Sequence, residues 1–176
     1  MDSKHYAAVV QLSDVGSIQV RAIRPDDRER ILELFNRLTR RTIYFRFHEP
    51  RTELSPEELT QFTELDFDNR VALVAVTGGG DAEKIVGVGR YRCVPDADPP
   101  CAELAFAVED VYQGRGIGSG LLKHLARIAK ASGISVFEGR ILPGNSHFLA
   151  FLEKSGFPIE RLGQIEGLDR YVIRIS

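Results

Sequence analysis

The stretch Val111–Leu122, VYQGRGIGSGLL, places four glycines within seven residues, Gly114, Gly116, Gly118 and Gly120, ahead of an apolar run that carries Lys123 and Arg127. Glycines at that density strip side chains from a backbone that something else must approach. The spacing excludes two familiar occupants. A Walker A loop needs G-x-x-x-x-G-K-[ST], but Ser119 stands five residues after Gly114 and Leu121 five after Gly116. A dinucleotide fingerprint needs G-x-G-x-x-G, and its third glycine is again replaced by Ser119 or Leu121. What remains is a strand, a turn and glycines opening a helix. A helix N-terminus carries unpaired N–H groups and a partial positive charge, and glycines let a phosphate reach them. The same glycines would equally suit a turn where helix and strand pack closely.

Working outward, CAELAFAVE (Cys101–Glu109) reads as the strand before the glycines. After them, Ile117, Leu121, Leu122, Leu125, Ile128 and Ala129 share one helical face, and Gly133 ends it. Further strands are read at SIQVRAI (Ser17–Ile23), RVALVAV (Arg70–Val76), KIVGVGRYRCV (Lys84–Val94), ISVFEGRIL and DRYVIRI. Helices are read after Pro25, Asp26 and Asp27, from Ser55 with a Ser55–Glu58 capping box, and from Asn145 to Gly156; TIYFRFH (Thr42–His48) is ambiguous in period between helix and strand and is read as a second short helix. The short connections from Arg70 to Glu109 imply antiparallel hairpins. The expected fold is therefore α+β: one mixed, mostly antiparallel sheet of about six to seven strands flanked by helices. Residues 1–16 read as a tail or loose strand, and 17–176 as one domain.

The 176 residues are 43% hydrophobic and 27% charged, which predicts a packed core, and the net charge of -2 argues against a chain built to bind nucleic acid. No apolar run approaches the roughly 18 residues of a membrane span, and no signal peptide is evident. Cys93 and Cys101 are expected as reduced thiols in a cytoplasmic protein, and the four scattered histidines predict no metal site.

Gln113-Gly114-Arg115-Gly116-Ile117-Gly118 reads Q-x-x-G-x-G, with Val108 five residues ahead. This resembles the acyl-CoA pyrophosphate loop of the GCN5-related N-acetyltransferases, the GNAT superfamily. Asn145 followed by FLEKSGF (Phe151–Phe157) resembles that family's second CoA motif, and IRPDD (Ile23–Asp27) its first strand-to-helix junction. IRPDD, TIYFRF, LSPEELTQFT, DFDNRVALVAV, IVGVGRY and AELAFAV together resemble the acetyltransferase domain of bacterial Pat-type protein lysine acetyltransferases. Those proteins often carry a further regulatory or ligase-like domain, for which 176 residues leave no room.

The resemblance implies a cleft where CAELAFAVE splays from ISVFEGRIL, holding acetyl-CoA as co-substrate and requiring no metal. Backbone groups of Phe106 and Val108 would pair with the pantetheine arm like an added strand. Amides of Gly114, Arg115, Gly116, Ile117, Gly118 and Ser119 would hold the pyrophosphate, with Gln113, Gly116 and Gly118 setting the register. Arg115 would add a charge or lie solvated. Asn145 would reach the pantetheine, cap its helix, or do both; Phe151 would touch CoA or belong to the core.

Acetyl transfer to an amine requires loss of a proton, a donor for the oxyanion and departure of the thiolate. A lysine amine titrates near pH 10.4, so a base is needed. Glu103, an acid in an otherwise apolar strand, is the candidate, as the resemblance also implies; burial there would raise a carboxylate's pKa toward a useful range. The plain alternative is a solvent-facing charge on the face shared with Cys101, Ala105 and Ala107. The Val108 N–H is the expected oxyanion donor. Many GNAT enzymes place a tyrosine seven residues after the asparagine to protonate the thiolate; Leu152 stands there. The preferred acceptor is a protein lysine and the alternative a small amine. A non-catalytic acyl-CoA-binding module is the reading from another class, motivated by Leu152. The basic run holding Arg37, Arg40, Arg41, Arg46 and Arg51 would guide an acidic protein substrate, contact CoA phosphates, or form a helical face salt-bridged to Glu49 and Glu53.

Overall fold

The structure, a computed structural model, describes residues 1–13 and 16–176. In chain order the elements are β1 (Ala7–Gln11), β2 (Ser17–Ala22), α1 (Arg28–Arg37), α2 (Arg40–Phe47), α3 (Pro56–Thr63), β3 (Arg70–Thr77), β4 (Lys84–Cys93), β5 (Cys101–Val108), α4 (Ile117–Ala131), β6 (Val136–Ile141), α5 (Ser146–Ser155), β7 (Ile159–Ile165) and β8 (Leu168–Arg174). They build one sheet in the order β1-β2-β3-β4-β5-β6-β8-β7. Every neighbouring pair is antiparallel except β5–β6. Val71–Val76 are all buried, as expected of a central strand covered on both faces.

Local chemistry sets the helix ends. Ser55 Oγ accepts from the Glu58 N–H at 3.1 Å and Glu58 returns a bond to the Ser55 N–H at 2.8 Å, so α3 starts on the expected capping box. Thr39 Oγ1 accepts from the Thr42 N–H at 3.2 Å and starts α2. At the end of β2, the fully buried Asp27 takes two 2.8 Å bonds from Arg21 and one from the Arg24 N–H, which fixes the turn into α1.

The sheet has eight strands where about six to seven were expected; the two not named from the sequence are β7 and β1, the latter inside the stretch read as a tail or loose strand. Asp14 and Val15, part of the expected tail, lie outside the described residues. β1 is short and pairs along β2 from Ala7↔Arg21 to Gln11↔Ser17. Val10 is buried against α4 at Gly120, where an added Cβ would stand 2.4 Å from a Val10 methyl carbon. Any side chain at Gly120 would therefore push β1 away.

The feature that positions the site is the fork between β5 and β6. Parallel pairing covers only Cys101↔Val136, Ala102↔Phe137 and Glu103↔Glu138. β5 then continues to Val108 and β6 to Ile141 unpaired to each other, while β8 holds the far edge of β6. Phe148 and Phe151 of α5 pack on Phe106 with ring centroids 6.0 and 4.8 Å away. Cys93 and Cys101 are free thiols.

Candidate active site

A cavity of about 690 Å³ runs through the fork, bounded by β5, the glycine loop, α2 and α5. Its wall on the β5 side is main chain. The Val94 N–H donates to the Cys101 carbonyl, and the Glu109 N–H to the Val86 carbonyl. In an antiparallel pair such residues alternate, so odd-numbered residues of β5 direct their backbone groups to β4. Phe106 and Val108 direct theirs into the fork, beyond the last pairing with β6 at Glu103↔Glu138. The expected strand edge at Phe106 and Val108 is present.

One of those groups has a partner. Gln113 Nε2 donates to the Val108 carbonyl at 2.9 Å and to Thr42 Oγ1 at 3.2 Å. This gives Gln113 a structural role within the expected motif: it ties the end of β5 to α2. Asp110 strengthens the tie by accepting from the Thr39 N–H, Thr39 Oγ1 and Thr42 Oγ1 at 3.0, 2.8 and 2.8 Å. Burial works against the Asp110 charge, but these three donors outweigh it and hold the carboxyl below its ordinary value.

The four glycines divide into two pairs. Gly114 and Gly116 have φ of 76° and 102°, a region that favours glycine, and Gly116 starts α4 without a side-chain cap. A Cβ on Gly114 would meet nothing within 4 Å. The first intrahelical bond runs from the Gly120 N–H to the Gly116 carbonyl, so the amides of Ile117, Gly118 and Ser119 have no partner within the helix. Ser119 Oγ donates to the Gly116 carbonyl at 3.2 Å. Gly118 and Gly120 instead admit Phe151 and Val10, with an added Cβ 3.1 and 2.4 Å from those side chains. The close-packing role weighed for the glycine stretch is thus present at Gly118 and Gly120, while Gly114 leaves the backbone open. The Arg115 guanidinium lies 5.5 Å from the Tyr112 ring centre, and the Arg115 carbonyl accepts from the Ser13 N–H at 2.9 Å.

Asn145 is 7% exposed, borders the cavity, and accepts from the Phe148 N–H at 3.2 Å as the cap of α5. Phe151 also borders the cavity while packing on Gly118. Leu152 is fully buried in the core and absent from the cavity wall, so neither its chemistry nor its direction serves a leaving thiolate.

Glu103 is the last residue of β5 paired with β6, at the base of the fork. Neither full burial nor free exposure is found. Its side chain is 26% exposed and lies between two guanidinium groups, Arg92 at 2.9 Å and Arg140 at 3.4 Å. The reason is register: Arg92 lies directly opposite on β4, and Arg140 is two residues beyond its β6 partner Glu138. The small residues Ala105 and Ala107 follow on the same face and leave the space that the cavity occupies.

Three residues around Glu103, two from α2 and its cap and one from β6, were not singled out individually for the chemistry from the sequence. His48, the left-handed cap of α2, borders the cavity with Glu103. Burial, then the Arg46 charge, holds its imidazole below the ordinary value of 6.5, so it is neutral at pH 7. Arg140 was hidden because only strand pairing brings it to Glu103. Arg46 belongs to the basic run. Within that run Arg51 does pair with Glu49 and Glu58, and Arg37 with Glu109, while Glu53 forms no ion pair among the described residues. Among the described residues no metal-binding cluster occurs and no helix is long and apolar enough to cross a membrane.

The site is thus a sheet forked at its parallel pair, with a glycine-opened helix at the mouth of the fork. The profile of the Acetyltransferase (GNAT) family matches residues 29–157, and the chain belongs to that family. It is similar to acetyltransferase PA5475 of Pseudomonas aeruginosa, 33% identical over 126 residues, which is 71% of this chain; the chain spans 66% of that relative's length. The GNAT domain of S. lividans PAT superposes with a TM-score of 0.85 at 33% identity, covering 96% of each chain. The yncA protein of Salmonella typhimurium, solved with its cofactor acetyl-CoA, shares the fold with a TM-score of 0.67 at 20% identity, over 89% of this chain and 92% of its own.

Proposed function

We propose that this chain transfers an acetyl group from acetyl-CoA to an amine within the β5–β6 fork, and that its preferred acceptor is a protein lysine. One observation carries the reading: the unpaired edge of β5 leads directly to the uncapped N-terminus of α4, and both open on the cavity that Glu103 enters. The residues present fit the donor. The amides from Gly114 to Ser119 offer donors for a pyrophosphate at a positive helix end. Phe106 and the Val108 N–H offer strand-like partners for a pantetheine arm. The resemblance of the chain's motifs to Pat-type protein lysine acetyltransferases supports a protein acceptor, and the similarity to the GNAT domain of S. lividans PAT is in keeping with it.

In this reading the acceptor gives up a proton to Glu103, directly or through water, and its nitrogen attacks the thioester carbonyl. The Val108 N–H donates to the oxygen that becomes negative. The attacking nitrogen then gives up its second proton, to water or to the departing sulfur, as the intermediate collapses with cleavage of the C–S bond, leaving a neutral amide and CoA as thiolate or thiol. With Leu152 in the core, no side chain of that position protonates the thiolate. A thiol with pKa near 8.5 is a serviceable leaving group without one.

The test is release of free CoA by purified protein given acetyl-CoA with lysine-bearing proteins or small amines. Release above background, with a mass increment on a discrete lysine, is expected. Tight acetyl-CoA binding by calorimetry without turnover on any amine would replace this reading with that of an acyl-CoA-binding module.

A further inference from the structure

A second cavity, of about 330 Å³, adjoins the first, and Arg46, Glu103, Leu104 and Ala105 line both. Its wall carries four arginines, Arg46, Arg70, Arg90 and Arg92, against one carboxylate, Glu103. The sheet register produces this imbalance. Arg70 stands directly opposite Arg92, and Arg92 opposite Glu103, in one row across β3, β4 and β5. Like charges directly opposite each other in a sheet are destabilising. Arg90 occupies the next position on the same face, opposite Ala105, where no side chain answers it.

Glu103 is already shared between Arg92 and Arg140. Arg46, Arg70 and Arg90 form no ion pair among the described residues. They are held in place by other means. The Phe62 ring has the Arg90 guanidinium 4.7 Å away and that of Arg46 5.9 Å away, and Arg46 also lies 4.8 Å from Phe47. Arg90 donates to the Phe62 carbonyl at 3.4 Å, and Arg70 to that of Glu64 at 3.4 Å. Desolvation first, then the neighbouring guanidinium charges, push Arg46 and Arg90 below their ordinary values. Such groups, aromatic-backed and lacking a counter-ion, favour a planar anion presented to their forks.

We infer that this cavity receives a carboxylate of the acceptor, so that the amine substrate is an anionic one. The inference rests on the acetyltransferase reading and narrows it. An acceptor whose nitrogen lies at Glu103 has room for a neighbouring group in the second cavity, beside Arg46 and Arg90, because Arg46 and Glu103 line both cavities and Arg90 lines the second. The carboxylate belongs either to a small amino acid or to an acidic residue flanking a protein lysine.

Two matched pairs of acceptors test it by CoA release: 6-aminohexanoate against hexylamine, and a lysine peptide flanked by aspartates against the same peptide with asparagines. The anionic member of at least one pair should be favoured about ten-fold or more in kcat/KM, the effect of one charge-assisted hydrogen bond. The discriminating pair identifies the source of the carboxylate. Arg90→Gln and Arg46→Gln should each shrink that preference several-fold through the KM of the anionic acceptor, with thermal melts confirming that both variants fold. Equal kcat/KM within both pairs, or a preference untouched by both substitutions, overturns the inference and leaves the acetyltransferase reading standing. If no amine is turned over, that reading fails instead. Glutarate titrated by calorimetry onto wild type and Arg90→Gln then decides the cavity alone: binding by wild type that weakens in the variant supports an anion site, and absent or equal binding overturns it.

Discussion

Glu103 stands where three features meet: the last β5–β6 pair, the wall of the large cavity and the arginine row. A base there must be available to an incoming amine, and partial exposure provides that access. Its ion pairs bear on how a substitution reads out. Arg92 is 70% exposed and Arg140 37%, so each pair contributes only about 0–1 kcal/mol of stability. Glu103→Gln should therefore leave the melting temperature nearly unchanged. It should lower kcat by about 10²-fold or more, the ordinary contribution of a general base. The KM for acetyl-CoA should hold, since the donor groups of β5 and α4 are main chain. Loss of the one carboxylate in the arginine row should also lower KM for an anionic acceptor. Steady-state kinetics on both substrates check all three, and full kcat in the variant would move the base role elsewhere, with His48 the neighbouring candidate.

At the scale of elements, the donor and acceptor sides of the site are joined through α2. Asp110 and Gln113 leave the end of β5 and bind Thr39 and Thr42 at the start of that helix. Asp110→Ala removes three hydrogen bonds, two of them from hydroxyls. The expected loss is about 1–3 kcal/mol, with faster amide exchange in α2 than in α4. The pH dependence has a definite sign. The folded value of Asp110 lies below its ordinary 3.8, so its contribution is complete above about pH 4 and lost as pH falls through the lower folded value. Asp110→Asn should flatten the stability curve in that acid window, which urea titrations at several pH values measure. Elements of this kind were half legible in the sequence. The Q-x-x-G-x-G spacing is local and displays itself in one line, as do the Ser55 box and the Asn145 cap. TIYFRFH was ambiguous in period and resolved into α2 through its cap at Thr39. The ties of Gln113 to Thr42, and of Glu103 to Arg92 and Arg140, depend on strand register between segments far apart in the chain. No single-sequence pattern encodes that register, so the arginine row was invisible and the choice between a buried and a solvent-facing Glu103 stayed open.

The whole molecule shows the same limit at its edge. Ala7–Gln11 is short and weakly alternating, and only the completed sheet shows what it does. It covers the β2 edge and seats Val10 on Gly120, and Tyr6 Oη comes within 2.6 Å of His124 Nδ1 on α4. Just beyond it, the Ser13 N–H and Oγ donate to the Arg115 carbonyl in the glycine loop at 2.9 and 3.1 Å. β1 therefore braces the helix whose N-terminus is assigned to the pyrophosphate. Removing residues 1–13 should cost about 2 kcal/mol or more, the burial of one Val side chain plus the lost bonds, and lower the melting temperature by about 5 °C. It should also raise the Kd for acetyl-CoA several-fold, because the loop loses two donors that fix its backbone. His124 gives the effect a pH signature. Burial, then Arg127, holds its folded value below the ordinary 6.5. Below pH 6.5 the unfolded chain takes up the proton first, so stability falls as pH drops from 6.5 toward the folded value and is complete above it. Without β1 that histidine loses part of its cover and its value returns toward 6.5. The difference in melting temperature between the full and shortened chains should thus be largest near pH 8 and shrink by pH 6. Equal melting at pH 8, or an unchanged acetyl-CoA Kd, would show that β1 covers an edge without bracing the loop.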